Sequence, residues 1–314
     1  MNKWKKIGLA VGMGTAVITA THAINKFIFN SATSKNYTGK RFRKTYQWKF
    51  GDISYITCGE GLPILLVHDL KSYSSSYEWD RIIDILSENH TVYAIDLLGC
   101  GHSDKPNITY TTYMYTQLIN DFVINVIHKK TDVIVTGNSA PMILMSAYTN
   151  NLLFNKIIMV SPQSVRGALA IPDKFSNIRK HLLNLPVIGT TIYNICMNRR
   201  NLSNILRNEV FENGIIPTDV LDAYHENAHL SGAMAKFLYT STECHYTTAA
   251  ISKAVSELNI CMYIVTGMQE NNSVIEEYLN LNPAIEVYKI QDSKELPQIE
   301  QPIEFVRQAD IFLA

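Results

Sequence analysis

The sequence lacks an excess of charge of either sign, since 28 Lys and Arg residues balance 28 Asp and Glu residues. A protein that binds nucleic acid needs a basic surface to neutralise phosphates, so this balance argues against nucleic acid as a partner. No metal-ligand spacing, glycine-rich nucleotide loop or C-x-x-C pair occurs, and the odd number of widely spaced cysteines suggests no disulfide framework. We therefore predict no metal, no cofactor and free thiols in a reducing compartment.

The composition is that of a folded globular protein. Hydrophobic residues make up 46% of the 314 residues and charged residues 18%, which is enough apolar material for a sizeable core. This length fits one large domain or two small ones.

The first 29 residues differ from the rest of the chain. Three lysines within residues 1–6 precede an apolar run at 7–24, which as a helix extended through Phe29 could span the ~30 Å hydrocarbon layer. We interpret residues 1–29 as a membrane anchor and residues 30–45 as a linker. More basic residues follow the run than precede it, which predicts a globular part in the cytoplasm. A signal peptide of a secreted protein, cut after residues 21–23, and an amphipathic N-terminal helix are the alternatives.

Short apolar strands alternate with helical stretches after residue 45. Alternating residues on both sides of Gly51-Asp52 predict a β-hairpin, and the later strands are continuous apolar runs, as in a parallel sheet buried on both faces. Residues 163–246 break this rhythm with successive helical patterns, so we predict an inserted helical segment there. The two parts of the α/β core are then residues 46–162 and 247–314.

Ser139 lies where a predicted strand turns into a helix. The apolar strand 133–135 leads into Gly137-Asn138-Ser139-Ala140-Pro141, and an apolar helical stretch follows. A serine at such a turn exposes its hydroxyl at the edge of the sheet, with the free N–H groups of the new helix nearby. This arrangement suits a nucleophile that attacks a carbonyl carbon, although Ser is also a common N-cap residue.

Residues 46–314 resemble the α/β-hydrolase family with a helical lid. The resemblance depends on His68-Asp69-Leu70 after a strand, the loop 96–106 (D-x-x-G-x-G-x-S-D-x-P), the turn 137–141 and the segment 297–302. It implies a mostly parallel sheet with helices on both faces and a lid over residues 163–246. It also implies a small ester-like, lipophilic substrate.

The same resemblance assigns roles to individual residues. Ser139 is the expected nucleophile and Glu270 the expected acid, while the backbone N–H groups of Leu70 and Ala140 are the expected oxyanion donors. Glu295 occupies the position of the family's catalytic His.

Three departures bear on activity. Asp69 and Pro141 replace family glycines, and Glu295 replaces the His that would act as the base. Loss of a triad member costs about 10⁴ to 10⁶ in turnover. A base could instead come from Glu295 sharing a proton with Glu270, or from a histidine elsewhere, and the candidates are His68, His102, His225, His229 and His245.

Three functions remain open on the sequence alone. The first is hydrolysis of an ester-like lipophilic substrate through Ser139. The second is a catalytically degenerate homologue that binds a small apolar ligand or a protein partner. The third is a membrane-surface scaffold that acts through the lid helices.

Overall fold

A computed structural model describes residues 3–268 and 272–314, apart from the side chains of residues 3 and 5–11. Glu270, the predicted acid, lies outside the described residues. Eight strands form one sheet in the order β1-β2-β4-β3-β5-β6-β7-β8. The strands are β1 Lys44–Trp48, β2 Gly51–Cys58, β3 Leu62–Val67, β4 His90–Ile95, β5 Thr131–Thr136, β6 Phe154–Val160, β7 Cys261–Gly267 and β8 Glu286–Ile290.

The sheet confirms the predicted fold class. β1 and β2 pair antiparallel around the Gly51 turn, β2 pairs antiparallel with β4, and the other neighbours are parallel. β5 has no exposed residue, because helices cover both faces of the sheet. The carboxyl ends of the parallel strands therefore meet at one edge, where such sheets place their ligands.

Helices follow most strands. Outside the segment between β6 and β7, they are α1 Lys3–Ala32, α2 Ile83–Leu86, α3 Thr112–Phe122, α4 Ala140–Thr149, α12 Asn272–Leu281, α13 Pro297–Glu300 and α14 Pro302–Leu313. Between β6 and β7 lie α5 Val165–Ala168, α6 Ser176–Asn184, α7 Ile188–Cys196, α8 Arg199–Ile205, α9 Thr218–His229, α10 Lys236–Glu243 and α11 Ser252–Glu257. We call α5–α10 the lid; they fall within the predicted insertion.

Helix α1 packs on the lid through its C-terminal half. Asn25 Nδ2 donates to Thr191 Oγ1 at 3.1 Å, and Asn194 Nδ2 donates to Asn25 Oδ1 at 2.9 Å. Phe29 is buried against the ring of His229. No helix in the described part of the chain is both long and apolar enough to cross a membrane. The predicted anchor is therefore not shown and stays a prediction.

Candidate active site

The turn between β5 and α4 reverses direction at Gly137. β5 ends at Thr136, and Gly137 has a left-handed backbone with φ of 54°. A short 3₁₀ turn over Gly137–Ser139 then leads into α4, whose first turn accommodates Pro141 because no intrahelical N–H is needed there. A nucleophile elbow places its reactive residue at the strained point of such a turn. In this chain Gly137 occupies that point, which we call the apex, and Ser139 lies two residues beyond it.

Ser139 does not have the predicted geometry. It has a right-handed helical backbone (φ −83°, ψ −16°), its side chain is fully buried, and its Oγ donates to the carbonyl oxygen of His68 at 2.6 Å. The N–H of Ala140, predicted as an oxyanion donor, instead donates to the carbonyl of Gly137. The hydroxyl is thus bonded to His68, which directly follows β3, and the amide is bonded within its own turn.

The amide that follows the apex is bound by a carboxylate of the same chain. Asp69 Oδ1 accepts from the backbone N–H of Asn138 at 2.7 Å and from Asn138 Nδ2 at 3.0 Å. Asp69 Oδ2 forms an ion pair with Lys71 Nζ at 3.0 Å. In an elbow, the N–H after the nucleophile stabilises the oxyanion. Asp69 therefore occupies the position at which an oxyanion would bind.

Asp69 also limits what the apex can carry. A Cβ atom on Gly137 would lie 2.6 Å from Asp69 Oδ1 and 2.8 Å from its Cγ, well inside van der Waals contact. Together with the positive φ, this contact makes a side chain at position 137 unfavourable. The Asp69 carboxylate can therefore occupy this position only because residue 137 has no side chain.

Glu295 is the second carboxylate near Lys71. Its Oε2 is 4.0 Å from Lys71 Nζ, so Lys71 lies between Asp69 and Glu295. Burial acts to lower the pKa of Lys71, but Asp69, Tyr73 and Glu295 raise it well above its ordinary value. Lys71 is therefore a charged ammonium at neutral pH. These residues and Gly137 line a small space of only about 20 Å³, which is room for one water molecule.

Glu78 is a buried carboxyl in contact with Asp69, and burial changes its pKa. It is 1% exposed, and its Oε2 accepts from the backbone N–H of Asp69 at 3.0 Å. Burial and the nearby charge of Asp69 raise its pKa to about 8. The sequence does not predict this protonation, because it depends on the burial of Glu78 and on its contact with Asp69 in the folded chain.

The candidate histidine bases occupy different surroundings. His68 is structural, since its Nε2 accepts from the backbone N–H of Leu97 at 3.0 Å and burial lowers its pKa. His102 Nε2 lies 3.0 Å from Thr38 Oγ1, and burial also lowers its pKa. The rings of His225 and His229 pack together within the lid, where burial lowers both pKa values, that of His225 to about 4. These residues act in packing and hydrogen bonding.

A large cleft lies between the lid and the sheet edge, with a volume of about 660 Å³. Leu70, Lys71 and Asn138 line it from the core. The lid and the chain that follows it contribute Cys196, Met197, Ile205, Glu209, Tyr239, Glu243 and His245, among others. His245 is thus the candidate histidine that faces the cleft.

The chain belongs to the alpha/beta hydrolase family, whose family model matches residues 64–308. Among relatives, it is 29% identical over 121 residues to a soluble epoxide hydrolase of Corynebacterium sp. (strain C12), covering 38% of this chain and 41% of that protein. It is 34% identical over 70 residues to 2-hydroxy-6-oxo-6-(2'-aminophenyl)hexa-2,4-dienoic acid hydrolase of Metapseudomonas resinovorans, covering 22% and 24%. The matched segments thus span less than half of either relative.

Solved structures share the fold. The epoxide hydrolase CorEH without ligand gives a TM-score of 0.71 at 20% identity, over 86% of this chain and 98% of that chain. A membrane phospholipase A, described as a bacterial virulence factor, gives a TM-score of 0.69 at 15% identity, over 99% and 98%. At these identities the similarity shows the fold alone.

Proposed function

We propose that this chain binds a small ligand in the cleft beneath the lid and does not hydrolyse it through Ser139. One observation carries the proposal: the Asp69 carboxylate is hydrogen-bonded to the amide of Asn138, beside a glycine at the apex. An acyl group that entered would meet neither a free oxyanion donor at this amide nor a side-chain nucleophile at position 137. Loss of such a donor costs about 3 kcal/mol of transition-state stabilisation.

The lining of the cleft indicates the class of ligand. Leu70, Met197, Ile205 and Tyr239 supply apolar surface, and Asn138 supplies an amide. The charged groups at the exposed rim are carboxylates, namely Glu209 and Glu243. Lys71 Nζ is already paired with Asp69. We therefore propose a neutral or cationic lipophilic ligand and not an anionic one.

Hydrolysis of an ester-like lipophilic substrate through Ser139 is the competing proposal, because the relatives named above are hydrolases. It requires the Ser139 hydroxyl to leave the His68 carbonyl and to meet a base such as Glu295, Glu270 or His245.

Labelling of the purified protein with a fluorophosphonate probe from pH 4 to pH 9 separates the two proposals. We expect no labelling. Labelling that disappears in Ser139→Ala would overturn the binding proposal, and its pH profile would distinguish a histidine base from a carboxylate base.

Binding itself is tested with 1-N-phenylnaphthylamine, an uncharged apolar dye whose fluorescence rises in an apolar site. We expect saturable binding to the native chain and at least tenfold weaker binding to Ile205→Trp, which fills part of the cleft. Ile303→Trp, at an exposed position of α14, is the matched control and should bind as the native protein does. Equal affinity in all three proteins would place the dye elsewhere and contradict the proposal.

Asp69 provides a further prediction. We expect Asp69→Gly to bind phenylphosphonate at least tenfold more tightly than the native chain, because it frees the Asn138 N–H and leaves Lys71 without its nearest carboxylate. Asp69→Asn is the control, since its side-chain oxygen can still accept from Asn138 while the charge is removed. Calorimetric titration measures all three, and equal affinities for the native chain and Asp69→Gly would show that Asp69 does not block an anion site.

A further inference from the structure

The lid carries an apolar stripe that faces outward. Phe175, Ile178, Leu182 and Leu185 follow one another at intervals of three and four residues along α6 and its two ends, so they share one side of the helix. Their side chains are 66%, 66%, 45% and 42% exposed. A helix on a globular core normally turns such a stripe inward. Here the stripe has been left to solvent or to another partner.

The apolar surface continues into both flanking segments. Ile171, before α6, and Ile188, at the start of α7, are 78% and 55% exposed. We call these two residues and the four of the α6 stripe the outer lid face. Scattered apolar side chains are normal on a protein surface, but a run of large ones along one helix and its neighbours marks an interaction surface.

Charge favours a lipid surface over an apolar protein groove as the partner. Between residues 171 and 188 the chain has three Lys or Arg residues, namely Lys174, Arg179 and Lys180, and one acidic residue, Asp173. Asp173 pairs with Arg179 at 3.1 Å, so the segment keeps a net positive charge. A helix with an exposed apolar face and flanking basic residues binds at the interface of anionic bilayers.

The outer lid face is also joined to the N-terminal helix. α1 packs on α7 through Asn25, and α7 packs directly on α6. On its other side α1 exposes apolar side chains of its own, including Met13, Val17, Ile24 and Phe27. The helix that begins with the lysine-flanked apolar run is thus held on the same lid, which places two apolar surfaces on connected helices.

We propose that the outer lid face docks on an anionic lipid bilayer, with Phe175 and Ile178 inserted at the level of the acyl chains. This contact is separate from any anchoring by residues 1–29, and it does not depend on whether the cleft binds or hydrolyses its ligand. It would hold the lid, whose inner side lines the cleft, against the source of lipophilic ligands.

Tryptophan quenching by brominated lipid tests the contact in the full chain. Phe175→Trp is made in a Trp4→Phe background, because Trp48 and Trp79 are buried and only Trp4 among the native tryptophans is exposed. Vesicles of phosphatidylcholine and phosphatidylglycerol contain dibrominated phosphatidylcholine. We expect at least a twofold loss of the fluorescence added at position 175. Leu152→Trp is the matched control, since Leu152 is 74% exposed and lies before β6, at the opposite edge of the sheet from the lid.

The outcomes discriminate among partners. Quenching at position 175 but not at 152 supports the proposal, and Ile178→Glu should then reduce the quenching, as should vesicles without phosphatidylglycerol. Absence of quenching at both positions, or equal quenching at both, overturns it. If position 175 is unquenched and Ile178→Glu converts a dimer into a monomer in sedimentation, the outer lid face contacts a second copy of the chain, and the lipid proposal is wrong.

Discussion

Replacing Glu78 with Gln is expected to stabilise the protein increasingly as the pH rises from about 4.5 to about 8. The pKa of Glu78 is raised from 4.5 to about 8, so over this range the folded state keeps a proton that the unfolded state has released. The free energy of unfolding therefore falls by about 1.4 kcal/mol per pH unit in the native chain, several kcal/mol in all. Gln resembles the protonated carboxyl, can still accept from the N–H of Asp69, and does not titrate.

Urea unfolding of both proteins at pH 4.5, 6 and 8 measures this difference. We expect similar stability at pH 4.5 and a clear advantage for Glu78→Gln at pH 8. Glu60→Gln is the matched control, because Glu60 is exposed in a surface turn and should give no pH-dependent difference. A constant difference between Glu78→Gln and the native chain at all three pH values would show that Glu78 does not retain its proton.

Among the substitutions proposed here, we expect Asp96→Ala to lower the free energy of unfolding the most. Asp96 is fully buried, and its Oδ2 lies 2.7 Å from Arg43 Nη1 and accepts from the backbone N–H of His102 at 2.8 Å. Its Oδ1 accepts from the backbone N–H of Ser76 at 2.7 Å. Removing one partner of a buried pair leaves an uncompensated charge on the other, here Arg43, and costs about 3–5 kcal/mol.

Denaturant unfolding at pH 7 tests this value. Lys253→Ala, which removes an exposed surface pair with Glu257, is the comparison and should leave the stability almost unchanged, because solvent screens such a pair. Burial acts to raise the pKa of Asp96, but Arg43 and the two amides lower it to about 2. The stabilisation is therefore present above the ordinary value of 3.8 and is lost as the pH falls through about 2. Similar costs for the two variants would contradict this account.

The sequence was sufficient to predict a mostly parallel sheet with helices on both faces. Continuous apolar strands, the alternating hairpin around Gly51 and the helical stretch between β6 and β7 are local patterns, and each depends on residues close together in the chain. The loop that contains Asp96 was also recognisable, because residues 96–106 resemble the family's D-x-x-G-x-G-x-S-D-x-P motif.

The candidate site was less predictable, because it depends on backbone conformation and on contacts across the fold. Residues 137–141 match a five-residue elbow pattern that suggests Ser139, yet the positive φ falls on Gly137. The Asp69 substitution was visible in the sequence. Its hydrogen bond reaches Asn138, about 70 residues further along the chain. Its ion pair is with Lys71, which lies close to it in the sequence. Only the folded chain shows that these contacts belong together.

The packing of α1 against the lid affects how the protein should be produced. A chain that begins at residue 36 lacks Asn25, so Thr191 and Asn194 lose their hydrogen bonds to it. It also loses Phe29, whose ring covers His229. We expect such a truncated protein to aggregate more readily than the full chain, and shortening the N-terminus to improve solubility would instead uncover an interior surface.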